Sequence, residues 1–432
     1  MKKKEILKTI IREFHASEIP SLVKRDVEVP IASGKIISII GPRRSGKTYF
    51  LYQLISTIVE STSNKENILY INFEDERLDL TTEELDLILQ AYRELYPEID
   101  LSKAFFFFDE IQNVNGWEKF IRRIYDSITK NIFITGSNSK MLGDEIATSL
   151  RGRTLKYKIL PLSFKEFLSF KKFKITLPQD FYDSKIKAKV INLFKEYMLW
   201  GGFPEIIFQP ESIKMRILQE YFDVMIYRDL IERYSIKDTF VLKYFIKRVA
   251  ETVSKSLSIN KIYNEIKSHG LKVGKNILYE FLEYLENAFL IRKIKKKSHS
   301  VLRSEFSDRK AYFIDNGILI AINVFEGQDY GILLENLIFR ELYRKSKNLF
   351  FHKEKKECDF ILEDSFPIQV CFDFSDPAVK KREIKGLVEC CRRFNFKKGL
   401  IITFDEEDVL NVNGYTFTVV PAYKWLLKKS VN

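Results

Sequence analysis

Apolar positions along this chain change period several times, and each change marks an expected element. KIISII (residues 35–40), KAFFFFDEIQ (103–112) and NIFITGSNS (131–139) are nearly unbroken apolar runs that end in polar residues. Runs of that kind fit strands buried on both faces, as in a parallel sheet. YINFED (70–75) supplies one more strand between the first two. Beyond residue 161 the spacing turns helical, through SFKEFLSFKKF and KVINLFKEYMLWGGFPEIIF, and stays so over 212–256. The basic start, MKKKEILKTIIREF, reads as a short helix without the apolar core or cleavage site of a signal peptide.

Two amphipathic helices are expected next. Ser258 caps one that runs to Ser268, and Gly270 breaks it. The second spans about 274–287, with Ile277, Leu278, Phe281, Leu282 and Leu285 on its buried stripe. The strand pair FLIRKIKKK and KAYFID follows, so the order is helix, turn, helix, hairpin, a winged-helix arrangement. The last hundred residues read as helix (LLENLIFRELYRK), two strands, helix (KREIKGLVECCRRF), the strands LIITFD and FTVVP, and a terminal helix.

The chemistry concentrates where the first strands end. GPRRSGKT, from Gly41 through Pro42, Arg43, Arg44, Ser45, Gly46 and Lys47 to Thr48, has P-loop spacing and is followed by Tyr49. Its backbone N–H groups would cradle phosphates, Lys47 would reach the β- and γ-phosphates, and Thr48 would join the Mg²⁺ shell. Asp109 would hold Mg²⁺ through water, and Glu110 would orient or deprotonate the attacking water. At the third strand end, Ser137 or Asn138 could contact the γ-phosphate or that water, or simply cap a turn. Arg151 and Arg153 flank Gly152, where an arginine could stabilise transition-state charge in a neighbouring subunit or serve only as a surface cation. The Gly201-Gly202-Phe203-Pro204 turn either faces the nucleotide or ends a helix.

Strand, P-loop, helix, strand, helix, strand-Asp-Glu, helix, strand-polar, arginine is an order that resembles the AAA+ branch of P-loop ATPases. GPRRSGKT, DEIQ, TGSNS, LRGR and YMLWGGFPE together look like a family of prokaryotic, notably archaeal, AAA+ ATPases with a winged-helix segment and a C-terminal domain related to PD-(D/E)xK nucleases. The resemblance covers most of the chain from about residue 22. It implies an α/β fold: a P-loop parallel-sheet core over 1–160, a helical lid over 161–215, a helical linker and winged helix over 216–325, and a nuclease-like domain over 326–432. ATP and Mg²⁺ are the implied cofactors.

In that last domain Asp359 takes the first carboxylate position, Gln369-Val370-Cys371 stands where a Glu-x-Lys triplet is expected, and Glu335 could be a further ligand. Cys371 in place of lysine supplies no fixed positive charge, which puts cleavage in doubt unless Lys353 or Lys355 substitutes. The four cysteines, Cys358, Cys371, Cys390 and Cys391, lack CxxC spacing and read as buried thiols.

Charge adds a partner class. The chain carries 71 basic and 59 acidic residues, a net charge of +12, which suits a polyanion. Lys272, Lys275 and Asn276 open the second helix, and 292–310 holds eight basic residues, Lys295, Lys296 and Lys297 among them, against two acidic. This patch could neutralise phosphates of DNA. The expected function is an ATP-driven switch or motor acting on DNA. A signalling or scaffold ATPase with a protein partner and an ATP-dependent nuclease are the alternatives. No apolar run reaches the length of a membrane span, so cytoplasm is the expected location, and an arginine acting in trans would require a homo-oligomer.

Overall fold

The computed structural model describes residues 2–137, 150–175, 179–298, 309–322, 329–346, 348–362 and 366–428. The chain divides into two compact units, Met1–Leu160 and Pro161–Asn432.

The first unit begins with α1 (Lys3–Ala16), then β1 (Ile36–Ile40), α2 (Lys47–Thr62), β2 (Ile68–Asn72), α3 (Asp86–Leu95), β3 (Phe105–Asp109), α4 (Trp117–Ser127), β4 (Ile132–Gly136) and β5 (Thr154–Lys158). The five strands pair in the order β2-β3-β4-β1-β5, every contact parallel. Phe106, Phe107 and Phe108 are fully buried, and the Phe107 ring stacks on Phe133 with centroids 4.5 Å apart. Burying each such ring contributes roughly 1.5–3 kcal/mol. Parallel pairing brings the carboxyl ends of all five strands to the same edge; the chain runs from β1 to β2 at one side of the sheet, returns through β3 to β4, and then passes over β1 to β5 at the other side. A crevice at that switch point is where such sheets bind ligands.

The second unit opens with α5 (Phe164–Phe170), α6 (Ser184–Trp200) and α7 (Glu211–Val224), which runs on as a π-helical stretch over Met225–Glu232. Ser163 and Glu166 form a reciprocal capping box on α5. Next come α8 (Thr239–Glu251), β6 (Ser256–Leu257), α9 (Ile259–Ser268), α10 (Lys275–Asn287), β7 (Ile291–Lys296) and β8 (Arg309–Phe313). The chain closes with α11 (Asn316–Ala321), α12 (Tyr330–Lys345), β9 (Leu349–Lys353), β10 (Glu357–Leu362), β11 (Pro367–Cys371), α13 (Pro377–Phe394), β12 (Lys398–Thr403), β13 (Asp408–Val412), β14 (Tyr415–Pro421) and α14 (Ala422–Leu427).

Ser258 caps α9 by accepting from the Lys261 amide at 3.3 Å, and Leu278, Phe281, Leu282 and Leu285 form the buried stripe of α10. Ile277 corrects the expectation. It is 40% exposed, because the stripe begins one position later and leaves it on the outer face. β13 is a strand that the apolar pattern missed, since its edge position leaves Asp408, Val409 and Asn411 exposed.

The hairpin β7–β8 does not form a separate small sheet. β7 pairs in parallel with β9, so one nine-stranded sheet, β13-β14-β12-β11-β10-β9-β7-β8-β6, runs through both the wing segment and the C-terminal segment.

A buried polar clasp ties α6, α11 and α12 together. The fully buried Arg340 guanidinium donates to the Asp315 carboxylate and to the Tyr197 hydroxyl. Asp315 also accepts from the amides of Gly202 and Gly317, each at 2.9 Å. The Gly201-Gly202 turn thus ends α6 and closes on Asp315. Gly201 has φ +77°, and a Cβ there would lie 1.7 Å from Asp315 Oδ1, so no side chain fits. Burial pushes the Asp315 carboxyl above its usual range, with Arg340 opposing that shift. Replacing Arg340 with leucine would strand this carboxylate without its cation. The expected cost is about 3–5 kcal/mol of stability, read from chemical unfolding followed through the tryptophan fluorescence of the second unit, with Arg216→Ala on the exposed surface of α7 as the unaffected control.

Candidate nucleotide site

The P-loop links β1 to the first turn of α2. Arg44 (φ +62°) and Gly46 (φ +94°) adopt left-handed conformations that turn the chain sharply enough to aim its amides inward. Gly41 is held close to β5, where an added Cβ would meet the Ile159 carbonyl oxygen at 2.0 Å. Inside the loop the Ser45 hydroxyl is buried without a protein partner. Arg43 reaches out to Glu74 at 2.7 Å, and Tyr49 is 59% exposed on the first turn of α2.

Side chains from three strands and α2 converge beside the loop. Lys47 Nζ lies 3.0 Å from Glu110 Oε1 and donates to the Pro42 carbonyl at 3.2 Å. Thr48 Oγ1 donates to Asp109 Oδ2 at 2.7 Å, and the Tyr70 hydroxyl donates to the same oxygen at 3.1 Å. Thr135 donates to Asp109 Oδ1 and accepts from the Glu110 amide at 2.8 Å. Gln112 Nε2 donates to Glu110 Oε2 at 2.5 Å. Glu110 itself is a non-glycine residue at φ +51°, the kind of strained backbone that clusters at functional sites.

The two neighbouring carboxylates are driven apart. Burial pushes the Asp109 carboxyl up, Glu110 adds to that, and the hydrogen bonds from Thr135 and Thr48 oppose it. Burial works in the same sense on Glu110, but the Lys47 ammonium and the Gln112 hydrogen bond outweigh it and hold this carboxyl below its ordinary value.

Several contributors escaped the sequence reading. Arg25 is buried and donates to the Ser45 carbonyl at 2.9 Å and the Leu160 carbonyl at 2.6 Å, bracing the P-loop from beneath. Nothing in its local sequence marks it, because its partners are backbone atoms far along the chain. Thr135 lies near the end of β4 beside Asp109, so the sheet register could have suggested it; Tyr70 sits in the middle of β2 opposite Phe107 and meets Asp109 through the length of its side chain. Asn138 lies outside the described residues, and Ser137 is buried with its hydroxyl unpartnered. Arg153 forks onto Asp126 at 3.0 and 3.2 Å, while Arg151 is exposed at φ +48°.

In the second unit Glu335, Asp359 and Gln369 do come together, around a lysine the sequence reading passed over. Lys310, on β8 and fully buried, sits 2.6 Å from Glu357, 3.3 Å from Glu335 and 3.7 Å from Asp359. Neither lysine proposed as a substitute stands there: Lys353 pairs with Glu357 at 2.8 Å from the surface, and Lys355 is exposed in the following turn. Asp359 Oδ2 accepts from the Val370 amide at 2.9 Å, and Gln369 donates to Glu383. Burial pushes the Cys371 thiol up to about 12, so it stays neutral. Among the wing and helix residues proposed for DNA, Lys272 and the neutral Asn276 are exposed, whereas Lys275, Lys295, Lys296 and Lys297 are half-buried.

Residues 33–168, which hold the P-loop, the parallel sheet and the two carboxylates, match a family model described as "AAA domain". A second model, for a domain of unknown function (DUF8612), matches residues 191–329. An uncharacterized protein of Methanocaldococcus jannaschii is 37% identical over 97% of this chain and 94% of its own length. An uncharacterized protein of Haemophilus influenzae is 33% identical over 91% of this chain and 94% of its own. The chain belongs to the family that these archaeal and bacterial proteins represent. Among solved structures, the Orc1 protein of Aeropyrum pernix in complex with DNA aligns over 74% of this chain and 91% of that one, at 12% identity and a TM-score of 0.31. AMPPCP-bound DnaA from Aquifex aeolicus aligns over 65% and 86%, at 13% identity and a TM-score of 0.26. Likeness that slight carries no weight for activity. Among the described residues no helix is long and apolar enough to cross a membrane.

The Glu110–Lys47 pair yields a stability prediction. Glu110 has a folded pKa below its unfolded value, so its contribution is present above the unfolded pKa and is lost as pH falls through the folded one. Glu110→Gln strands the buried Lys47 and is expected to cost about 3 kcal/mol at pH 7. The gap from wild type should close on acidification below about pH 4, in thermal unfolding of the two proteins across pH 3–8.

Proposed function

We propose that this protein binds and hydrolyses ATP with Mg²⁺ and uses the nucleotide state as a switch on DNA. The observation that carries the first half is the convergence of Lys47, Thr48, Asp109 and Glu110 on one point at the carboxyl edge of the sheet. The Thr48 hydroxyl and Asp109 carboxylate are hard oxygen donors already 2.7 Å apart, which fits Mg²⁺. Gly41, Gly46 and the unpartnered Ser45 hydroxyl fit a phosphate cradle.

Mg·ATP, when bound, supplies the electrophilic γ-phosphorus and the divalent charge. Lys47 would pair with the phosphates in place of Glu110, and Glu110, released from that cation, would be the stronger base to accept a proton from water. Gln112, bonded to the other carboxylate oxygen, holds Glu110 in position. Thr48 and Asp109 would hold Mg²⁺, with Thr135 and Tyr70 keeping Asp109 oriented.

DNA action rests on the order α8-β6-α9-α10-β7-β8, which is that of a winged helix, and on the basic residues of the wing. The nuclease-like segment serves as a binding module. Lys310 neutralises the carboxylates that a divalent metal would need, which weighs against cleavage.

Two outcomes are expected. Glu110→Gln should lower kcat for phosphate release at least 100-fold and leave fluorescent ATP-analogue binding within about 3-fold, whereas Lys47→Ala should abolish that binding. Duplex DNA should stimulate wild-type hydrolysis at 50 mM salt, with the stimulation fading by 300 mM. Hydrolysis indifferent to DNA at every salt would move the partner from nucleic acid to protein. Supercoiled plasmid with Mg²⁺ or Mn²⁺ should stay intact, and nicking abolished by Asp359→Ala would reverse the view of the C-terminal segment.

A further inference from the structure

Outside the nucleotide site, the outer face of α13 carries a one-sign charge pattern. Lys381, Lys385 and Arg392 recur at helical spacing along it and are exposed. The turn between β9 and β10 brings Lys355 and Lys356 to the same side, and the groove they border has a volume of about 680 Å³. Its floor is aliphatic, made by Ile384, Val388 and Val412, with no aromatic ring in the lining.

Negative charge in the groove is already committed. Glu389 Oε1 accepts from the Lys355 and Lys356 amides, both at 3.1 Å, and so fixes the turn against α13. At the groove end Asp408 faces Lys380 at 3.6 Å. The wing meets α13 at its end, on the side that faces the sheet. Lys297, just past β7, donates its amide to the Phe351 carbonyl at 2.8 Å, and its ammonium lies 5.8 Å from the ring centroid of Phe394, the last residue of α13. By contrast the outer face of α10 mixes Lys272 and Lys275 with exposed Glu280 and Glu283.

We propose that the outer face of α13 and the β9–β10 turn form one track for the phosphate backbone of duplex DNA. This rests on the DNA reading above and deepens it by placing the main contact on α13 rather than on α10. Without aromatic rings the groove gives unpaired bases no stacking platform, so its recognition is electrostatic and independent of sequence. Lys381 to Arg392 spans roughly 16 Å at ~1.5 Å per residue, about five base-pair steps. The aliphatic floor supports the lysine stems, whose ammonium groups reach outward.

The test uses the full-length protein, fluorescence anisotropy and a labelled 20-base-pair duplex of mixed sequence, titrated from 50 to 300 mM NaCl. Lys381→Glu combined with Lys385→Glu should weaken binding at least 10-fold at 50 mM salt. The milder pair Lys381→Gln with Lys385→Gln should reduce the slope of log affinity against log salt by about 2. Basal ATP hydrolysis should be unchanged in both, and chemical unfolding read through the tryptophans of the second unit should match wild type, which reports intact folding. Duplex binding that ignores the α13 variants and falls with Lys272→Glu/Lys275→Glu would overturn the track and leave the DNA reading standing. No duplex binding at any salt would overturn both. A 20-nucleotide single strand bound ten times tighter than the duplex, or polyglutamate bound as tightly, would overturn the duplex assignment.

Discussion

Two adjacent carboxylates, Asp109 and Glu110, have to be kept almost wholly out of water at the end of a strand made of four phenylalanines. That constraint organises the first unit. Isolated charges cannot be buried without partners, so every neighbouring element contributes one: a hydroxyl from α2, another from β4, a phenol from β2 and an ammonium from the P-loop. The same groups are the ones that phosphate and a divalent ion would engage. The local needs of folding and the proposed chemistry therefore draw on a single set of side chains.

Much of this was legible in the sequence because the motif is local. GPRRSGKT and FFFFDE each place their functional residues within a few positions of an apolar run, so period and polarity suffice to find them. Arg25 was invisible for the opposite reason, since it works through carbonyl groups of Ser45 and Leu160 at separations of 20 and 135 residues. Lys310 illustrates a different failure. Within KAYFID it read as the basic start of a wing strand, and only the pairing of β7 with β9 reveals that its side chain points into carboxylates from β10 and α12.

The same pairing explains why the C-terminal half resisted division by eye. Helix caps such as Ser258 and breaks such as Gly270 are written locally and were read correctly. Parallel pairing between strands more than fifty residues apart leaves no local trace. A polar edge strand such as β13 is equally silent, because half of its residues face solvent and its alternation dissolves.

The shared sheet also bears on how such a chain can be dissected or shuffled. β7 and β9 exchange backbone hydrogen bonds across residue 325, although a reader dividing the chain by motif would cut there. A fragment ending at that point would bare the β9-facing edge of β7 at Lys295 and Lys296, and one starting there would bare the β7-facing edge of β9 with its buried Phe351. Open edges of that kind recruit strands from other molecules. Wing and C-terminal segment should consequently travel together through gene fusion and loss, inherited as one piece even where only one of them is used.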